Sequence, residues 1–360
     1  MSVDDARRSV ENARTAGVFP AASVEVGSSA DVLWSEAFGT SLHTPFDLAS
    51  LTKAVATTTV VMELVGTGAL RLEDPVSTFF DEWRGADRRG VTVRDLLEHA
   101  SGLPARLVDA PPLGRREFEH DICTMALEYV PRTKSVYSDL GFILLGFLAA
   151  DRGGAPLSEL FDRVMVRLKP DTTEDKDGDR GSGSVRLQPD LLTFGIPPAL
   201  RHLAAPTRPM AEDSRRGRDL VGEVHDNYAA ALGGVAGHAG LFATASGVGA
   251  FARVVMRALR GRADVPPPFS RDLVRQFVTK STVPGSSRAL GWDTMLTTSS
   301  CGTKMSASAF GHVGFTGTSL WIDSVRDRYF VLLTNRVLGG GTLDEMRTAR
   351  RAFHDALGDV

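Results

Sequence analysis

Cysteine is nearly missing from this chain: 360 residues contain two, Cys123 and Cys301, far apart in sequence. They establish neither a disulfide nor an oxidising compartment, and buried free thiols are expected. No sign of charge predominates, with 41 Lys and Arg against 44 Asp and Glu. Nothing therefore points to nucleic acid or a membrane surface as partner. Long apolar runs are missing too. The most apolar stretch, residues 141–150, is far too short to span a bilayer. The N-terminus, Met1-Ser2-Val3-Asp4-Asp5, begins acidic without an apolar secretory core, so a cytoplasmic protein without a membrane span is expected. No G-x-S-x-G elbow occurs, which argues against an ordinary α/β-hydrolase. No H-E-x-x-H or clustered H-x-H occurs, which argues against a zinc hydrolase.

What is present centres on Asp47-Leu48-Ala49-Ser50-Leu51-Thr52-Lys53. From Ser50 the apolar positions fall at three- and four-residue spacing, predicting a helix over 50–66. Ser50 then sits at the helix N-terminus with Lys53 one turn on, facing the same way. A serine hydroxyl attacks poorly until a neighbour takes its proton. A lysine dry enough to be neutral can do so, and the first helical N–H groups favour the negative charge that follows. By itself S-x-x-K also describes a capping serine and a solvated lysine.

Two further stretches change that balance: Val136-Tyr137-Ser138-Asp139-Leu140, and Phe310-Gly311-His312-Val313-Gly314-Phe315-Thr316-Gly317. In this order and at these separations the three resemble the penicillin-recognising serine hydrolases. The nearest branch is the class C β-lactamase-like group of D,D-peptidases, D-aminopeptidases and esterases. The resemblance runs from about residue 20 to 350 and implies Ser50 as nucleophile, Lys53 as its activator and Tyr137 as a second proton carrier. It leaves open whether the lysine or a tyrosinate is the primary base. It places His312 in the cleft and the oxyanion between the backbone N–H groups of Ser50 and Phe315, with no metal or cofactor. Asp139, Gly314, His225, Asp226 and Asn335 are candidate substrate contacts, for a small molecule or short peptide. The sequence is silent on oligomeric state.

Two departures bear on substrate. His312 stands where β-lactamases usually carry lysine, and a mostly neutral histidine pulls less on a substrate carboxylate. Asp139 stands where they carry asparagine, and an ionised aspartate only accepts hydrogen bonds and repels anions. Both favour an esterase or a peptidase acting on D-residues. A true β-lactamase or a D,D-carboxypeptidase is the alternative, and a catalytically idle binding module is the reading from another class.

The rest of the chain predicts a mixed α/β (α+β) fold: an antiparallel sheet flanked by terminal helices, with a mostly helical second lobe. Helices are expected at 4–16, 92–104 with a Gly/Pro stop, within 115–165, at 246–259 and 344–357. Strands are expected at 21–26, 32–38, 289–292, 310–314, 320–323 and 329–334. The lobes would be 1–49 with 241–360, and 50–240. His99 invites reading as a base, but a packed structural histidine explains it. The glycine-rich stretches 222–228 and 233–242 read as a wall returning to the active site. Val166-Arg167-Leu168-Lys169-Pro170-Asp171 recurs nearly unchanged at 185–190. The polar stretch between these copies imitates a calcium loop but lacks its turn glycine and closing glutamate. A disordered insertion at about 166–190 is expected.

Overall fold

The computed structural model describes residues 2–108, 111–168 and 191–358. The insertion expected at 166–190 falls largely outside the described residues. The strands are β1 (Ala22–Gly27), β2 (Val32–Phe38), β3 (Phe46–Asp47), β4 (Leu192–Phe194), β5 (Leu241–Ala243), β6 (Asp293–Thr294), β7 (Phe310–Val313), β8 (Ser319–Asp323) and β9 (Arg328–Thr334). Six form an antiparallel sheet in the order β2-β1-β9-β8-β7-β6, and β3-β5-β4 form a small second sheet. The helices are α1 (Val3–Thr15), α2 (Thr58–Gly66, entered through a π-helical turn at Lys53–Thr57), α3 (Val93–Leu97), α4 (Arg115–Thr124), α5 (Asp139–Gly153) and α6 (Leu157–Leu168). They continue with α7 (Asn227–Ala231), α8 (Ala245–Leu259), α9 (Arg271–Val278), α10 (Arg336–Gly339) and α11 (Leu343–Leu357).

Alternation along β8 and β9 explains the layering. Leu320, Ile322, Tyr329, Val331 and Leu333 point to one face and join a large cluster with α2, α5 and α8. Trp321, Phe330 and Leu332 point to the other, where Ala6 and Val10 of α1 and Phe353 of α11 cover them. A strand with apolar residues on both faces must be covered on both, and the terminal helices do this on one side. The large cluster runs without a break from the sheet into the helices at 50–165, so the two expected lobes share one core. Glu25 of β1 faces α8 while buried. Arg253 of α8 reaches it at 2.9 Å and the Tyr329 hydroxyl donates to it at 2.7 Å, so the buried charge is paired.

Cys123 and Cys301 are both free and buried, and burial pushes each thiol up to about 12. Among the described residues no single helix is long and apolar enough to cross a membrane.

Candidate active site

Ser50 does not begin a regular α-helix. Ala49 before it has φ +46°, a left-handed conformation that a residue with a Cβ adopts at a cost. Asp47 holds that turn: its carboxylate accepts from the Ala49 N–H at 2.8 Å and the His225 N–H at 2.6 Å. Full burial pushes Asp47 up to about 6 despite those two donors. Past Ser50 the helix widens, with Thr58 N–H bonding to Lys53 O, five residues back. π-Turns of this kind gather at functional sites. The glycine-rich wall packs on this turn. Gly237 O accepts from Thr57 Oγ1 at 2.7 Å and His238 O from Lys53 Nζ at 3.2 Å. Only glycine fits at 237, because a Cβ there would stand 1.9 Å from Phe142 O of α5.

Lys53 is completely buried, and its Nζ lies 3.1 Å from Ser50 Oγ and 2.7 Å from Asp139 Oδ1. Burial alone would lower the lysine value. The Asp139 carboxylate overrides it, with Tyr137 adding in the same direction, and holds Lys53 above the ordinary lysine value. Of the two bases the sequence left open, the lysine is thus an ion-paired ammonium.

Asp139 opens α5 behind the Ser138 N-cap. Its second oxygen accepts from Arg106 Nη1 at 2.8 Å. Each oxygen of this cavity-lining carboxylate is thus already paired with a cation of the protein, which the sequence reading did not foresee. Burial would raise its value, but Lys53, then His238 and Arg106, bring it below the usual 3.8. Arg106 was not expected from the sequence. It also donates to Asp226 Oδ2 at 3.0 Å and Asn227 Oδ1 at 2.7 Å, and its guanidinium lies 4.0 Å over the Tyr228 ring. Asp226 bonds His238 Nε2 at 2.7 Å and caps α7 through the Ala229 N–H. Asp139, Asp226 and His238 offer ligand atoms within 4.8 Å of one another, the spacing of a cation site. Here Arg106 bridges the two carboxylates and Lys53 pairs with one of them, so their charge is already met.

These depressed carboxylates set an acid limit. A group whose folded value lies below its unfolded one stabilises the fold above the unfolded value and loses that contribution as pH falls through the folded one. Asp139 and Asp226 both lie below the ordinary 3.8. Asp47 acts oppositely, favouring the fold below 3.8 and losing that as pH rises through about 6. Urea denaturation is expected to show stability falling steeply only below pH 3.8, and Asp226→Asn should flatten that fall.

A cavity of about 430 Å³ opens over this chain of charges. Ser50, Tyr137, Asp139, His225, Asp226, His312, Gly314 and Phe315 line it, together with Arg106, Arg288 and Arg350. The structure thus brings the three sequence motifs to one place. Tyr137 sits under the Lys53 ammonium, 4.8 Å from Nζ to its ring centre, and Arg288 lies 5.1 Å from the same ring. His99, with φ +55°, accepts the Ser138 N–H on Nδ1 at 3.0 Å and packs 4.7 Å from the Tyr137 ring. It therefore positions the tyrosine. His312 Nδ1 lies 2.8 Å from Val313 O, which puts the proton on Nδ1 and leaves Nε2 as an unpartnered acceptor. Burial, Arg288 and Lys53 hold this imidazole well below its usual value, hence neutral. His225 stacks 5.7 Å from Phe315 with neither ring nitrogen partnered, and burial pushes it down to about 4.

The β7–β8 turn is fastened to the nucleophile turn. Thr316 Oγ1 donates to Asp47 O at 2.7 Å and Thr318 Oγ1 to Leu48 O at 2.9 Å. Among the described residues, the N–H groups of Ser50 and Phe315 donate to nothing in the protein. At Gly314 a Cβ would stand 2.3 Å from Leu48 O, so its glycine sets how closely the two turns meet. Gly314→Ala is expected to cost roughly 10²-fold in kcat, as a shift of about 1 Å at a reacting centre does. Steady-state kinetics on the purified variant checks this. Asn335 is not brought to the cavity: its Oδ1 accepts from Ala21 N–H at 3.0 Å and its Nδ2 donates to Pro206 O at 3.1 Å.

A family model described as Beta-lactamase matches residues 6–354. The chain belongs to the Beta-lactamase family. It is 28% identical, over 85% of its length and 72% of the other's, to the Escherichia coli (strain K12) protein named "Putative D-alanyl-D-alanine carboxypeptidase". In fold it resembles a class C β-lactamase from Rhodobacter sphaeroides (TM-score 0.73, 16% identity, covering 98% of both chains). It also resembles EstCE1, titled a hydrolase with promiscuous acyltransferase activity (TM-score 0.69, 17% identity, covering 97% of this chain and 100% of the other). Membership of this family of serine hydrolases makes the chain a hydrolase.

Proposed function

We propose that the protein hydrolyses an acyl bond through a covalent intermediate on Ser50, as an esterase or a peptidase acting on D-residues. The observation that carries this reading is the ammonium of Lys53 placed 3.1 Å from Ser50 Oγ and fixed from behind by Asp139 at 2.7 Å. As a cation Lys53 does not accept the serine proton. In this reading Tyr137 enters the cycle as a phenolate balanced by the Lys53 ammonium, and Ser50 Oγ attacks the substrate carbonyl carbon while its proton passes to that phenolate oxygen. The carbonyl oxygen becomes an oxyanion facing the N–H groups of Ser50 and Phe315. Tyr137 then protonates the leaving group, and the acyl group stays on Ser50. Water attacks that ester, gives its proton to Tyr137, and Ser50 recovers its own. His312 contributes a neutral Nε2 acceptor to the cavity wall, and His225 a stacked ring beside Phe315.

A second reading, a D,D-carboxypeptidase, is favoured by Arg288. It lines the cavity and stands over Tyr137, and its carboxylate partner Asp293 is 3.8 Å away, leaving room for a substrate carboxylate. The relative's name supports the same substrate class. The test is turnover of a p-nitrophenyl ester, a D-Ala-D-Ala peptide and a cephalosporin by wild type and Ser50→Ala. Ester or peptide turnover that is lost in the variant is expected. Cephalosporin turnover faster than either would make it a β-lactamase. No turnover with no labelling would make it an idle binding module.

A further inference from the structure

Two buried arginines stand behind the β7–β8 turn without an acidic partner among the described residues. Arg336 donates Nε and Nη2 to Phe315 O and Nη1 to Gly341 O. Arg350, on α11, directs Nη2 at Gly314 O (2.7 Å) and Thr318 O (2.9 Å), while its Nε is buried and unpartnered. A buried guanidinium without a counter-charge is expensive, so its placement calls for a reason.

The reason lies in the peptide unit between Gly314 and Phe315. That unit is planar and trans, so its C=O and its N–H point in opposite directions. Gly314 O accepts the Gly317 N–H of the turn at 3.1 Å as well as Arg350 Nη2. A carbonyl held from one side leaves the Phe315 N–H facing the other. A cationic donor on that oxygen also draws electron density from the amide nitrogen, making its N–H a stronger donor. We propose that Arg350 is a positioning residue that aims and polarises the Phe315 N–H as an oxyanion donor, a role that rests on the reading of Ser50 and Phe315 given above. It acts through the peptide and does not touch the reacting atoms. Its removal costs the transition state and leaves ground-state binding intact.

The test compares Arg350→Met, Arg350→Lys and Arg253→Met. The last breaks the remote Glu25 pair and serves as a control for lost stability. Each is measured for kcat and KM on an ester, for urea stability, and for affinity of a boronic acid that mimics the tetrahedral intermediate. Arg350→Met is expected to lower kcat about 10–100-fold with KM nearly constant, and to weaken the boronic acid by a similar factor. Arg350→Lys should recover part of both, and Arg253→Met should lose stability with kcat unchanged. A raised KM at constant kcat would make Arg350 a direct substrate anchor and overturn the proposal, as would unchanged boronic acid affinity. If Arg350→Met does not fold, the same comparison is read from Arg350→Lys, where wild-type kcat and boronic acid affinity overturn it. Activity surviving in Ser50→Ala removes the underlying reading instead. Loss in Ser50→Ala beside wild-type kcat in Arg350→Met removes this inference alone.

Discussion

Lys53→Met is expected to lower kcat by about 10²–10⁴-fold, the range over which positioned proton-transfer machinery contributes. The ammonium is the cation nearest Ser50 Oγ, and it sits over the Tyr137 ring. Without it, the negative charge left by proton transfer from the serine loses its nearest counter-charge. The same change removes one partner of a buried ion pair, an operation that costs roughly 3–5 kcal/mol. The lower end applies here, because Arg106 still faces Asp139 at 2.8 Å. Kinetics together with urea denaturation separates the two effects: a kcat loss in fully folded protein at low denaturant belongs to the chemistry. A Lys53→Met enzyme with kcat within tenfold of wild type would show that the ammonium is not needed in the reaction.

Arg106→Met is expected to lower stability on the order of 3 kcal/mol. It removes the guanidinium bridging Asp139 and Asp226 and strips Asn227 of its donor. Two buried carboxylates then face each other with Lys53 and His238 as their remaining partners. Like charges at that range raise carboxylate values. A value raised in the folded state stabilises at low pH and loses that contribution as pH rises through it, so the deficit should shrink on acidification from pH 7 towards 5. Activity should fall as well, since Asp139 holds Lys53. Stability measured at both pH values checks the sign, and a deficit that grows on acidification would contradict it.

Ser50, Lys53, Tyr137 and His312 were legible in the sequence because each sits in a motif whose spacing carries chemistry, and the structure brings Ser50, Tyr137 and His312 to one cavity with Lys53 buried beside Ser50 Oγ. The sheet was legible for a similar reason: β1 and β2 alternate, and β7 to β9 are strand-like runs separated by turn residues. What escaped depends on contacts between distant segments. Arg106 is a lone arginine after a Gly/Pro stop, and nothing nearby announces that residues 139, 226 and 227 will surround it. Asp139 was read as an open carboxylate because its two cationic partners lie 86 and 33 residues away. Asn335 was read as facing substrate, but its amide spans Ala21 and Pro206, a bridge no local pattern predicts. The small sheet of β3, β4 and β5 went unseen because strands of two or three residues show no period. The strand expected at 289–292 forms instead at Asp293–Thr294, where the chain meets β7.

The central claim is an acyl bond to one hydroxyl, and intact-protein mass spectrometry tests it most directly. Wild type and Ser50→Ala are treated with a fluorophosphonate and, separately, quenched during turnover of a slow ester. One adduct per chain is expected, localised by peptide mapping to the segment containing Ser50 and missing from the variant. An adduct on another residue, or ester turnover persisting in Ser50→Ala, would contradict the account.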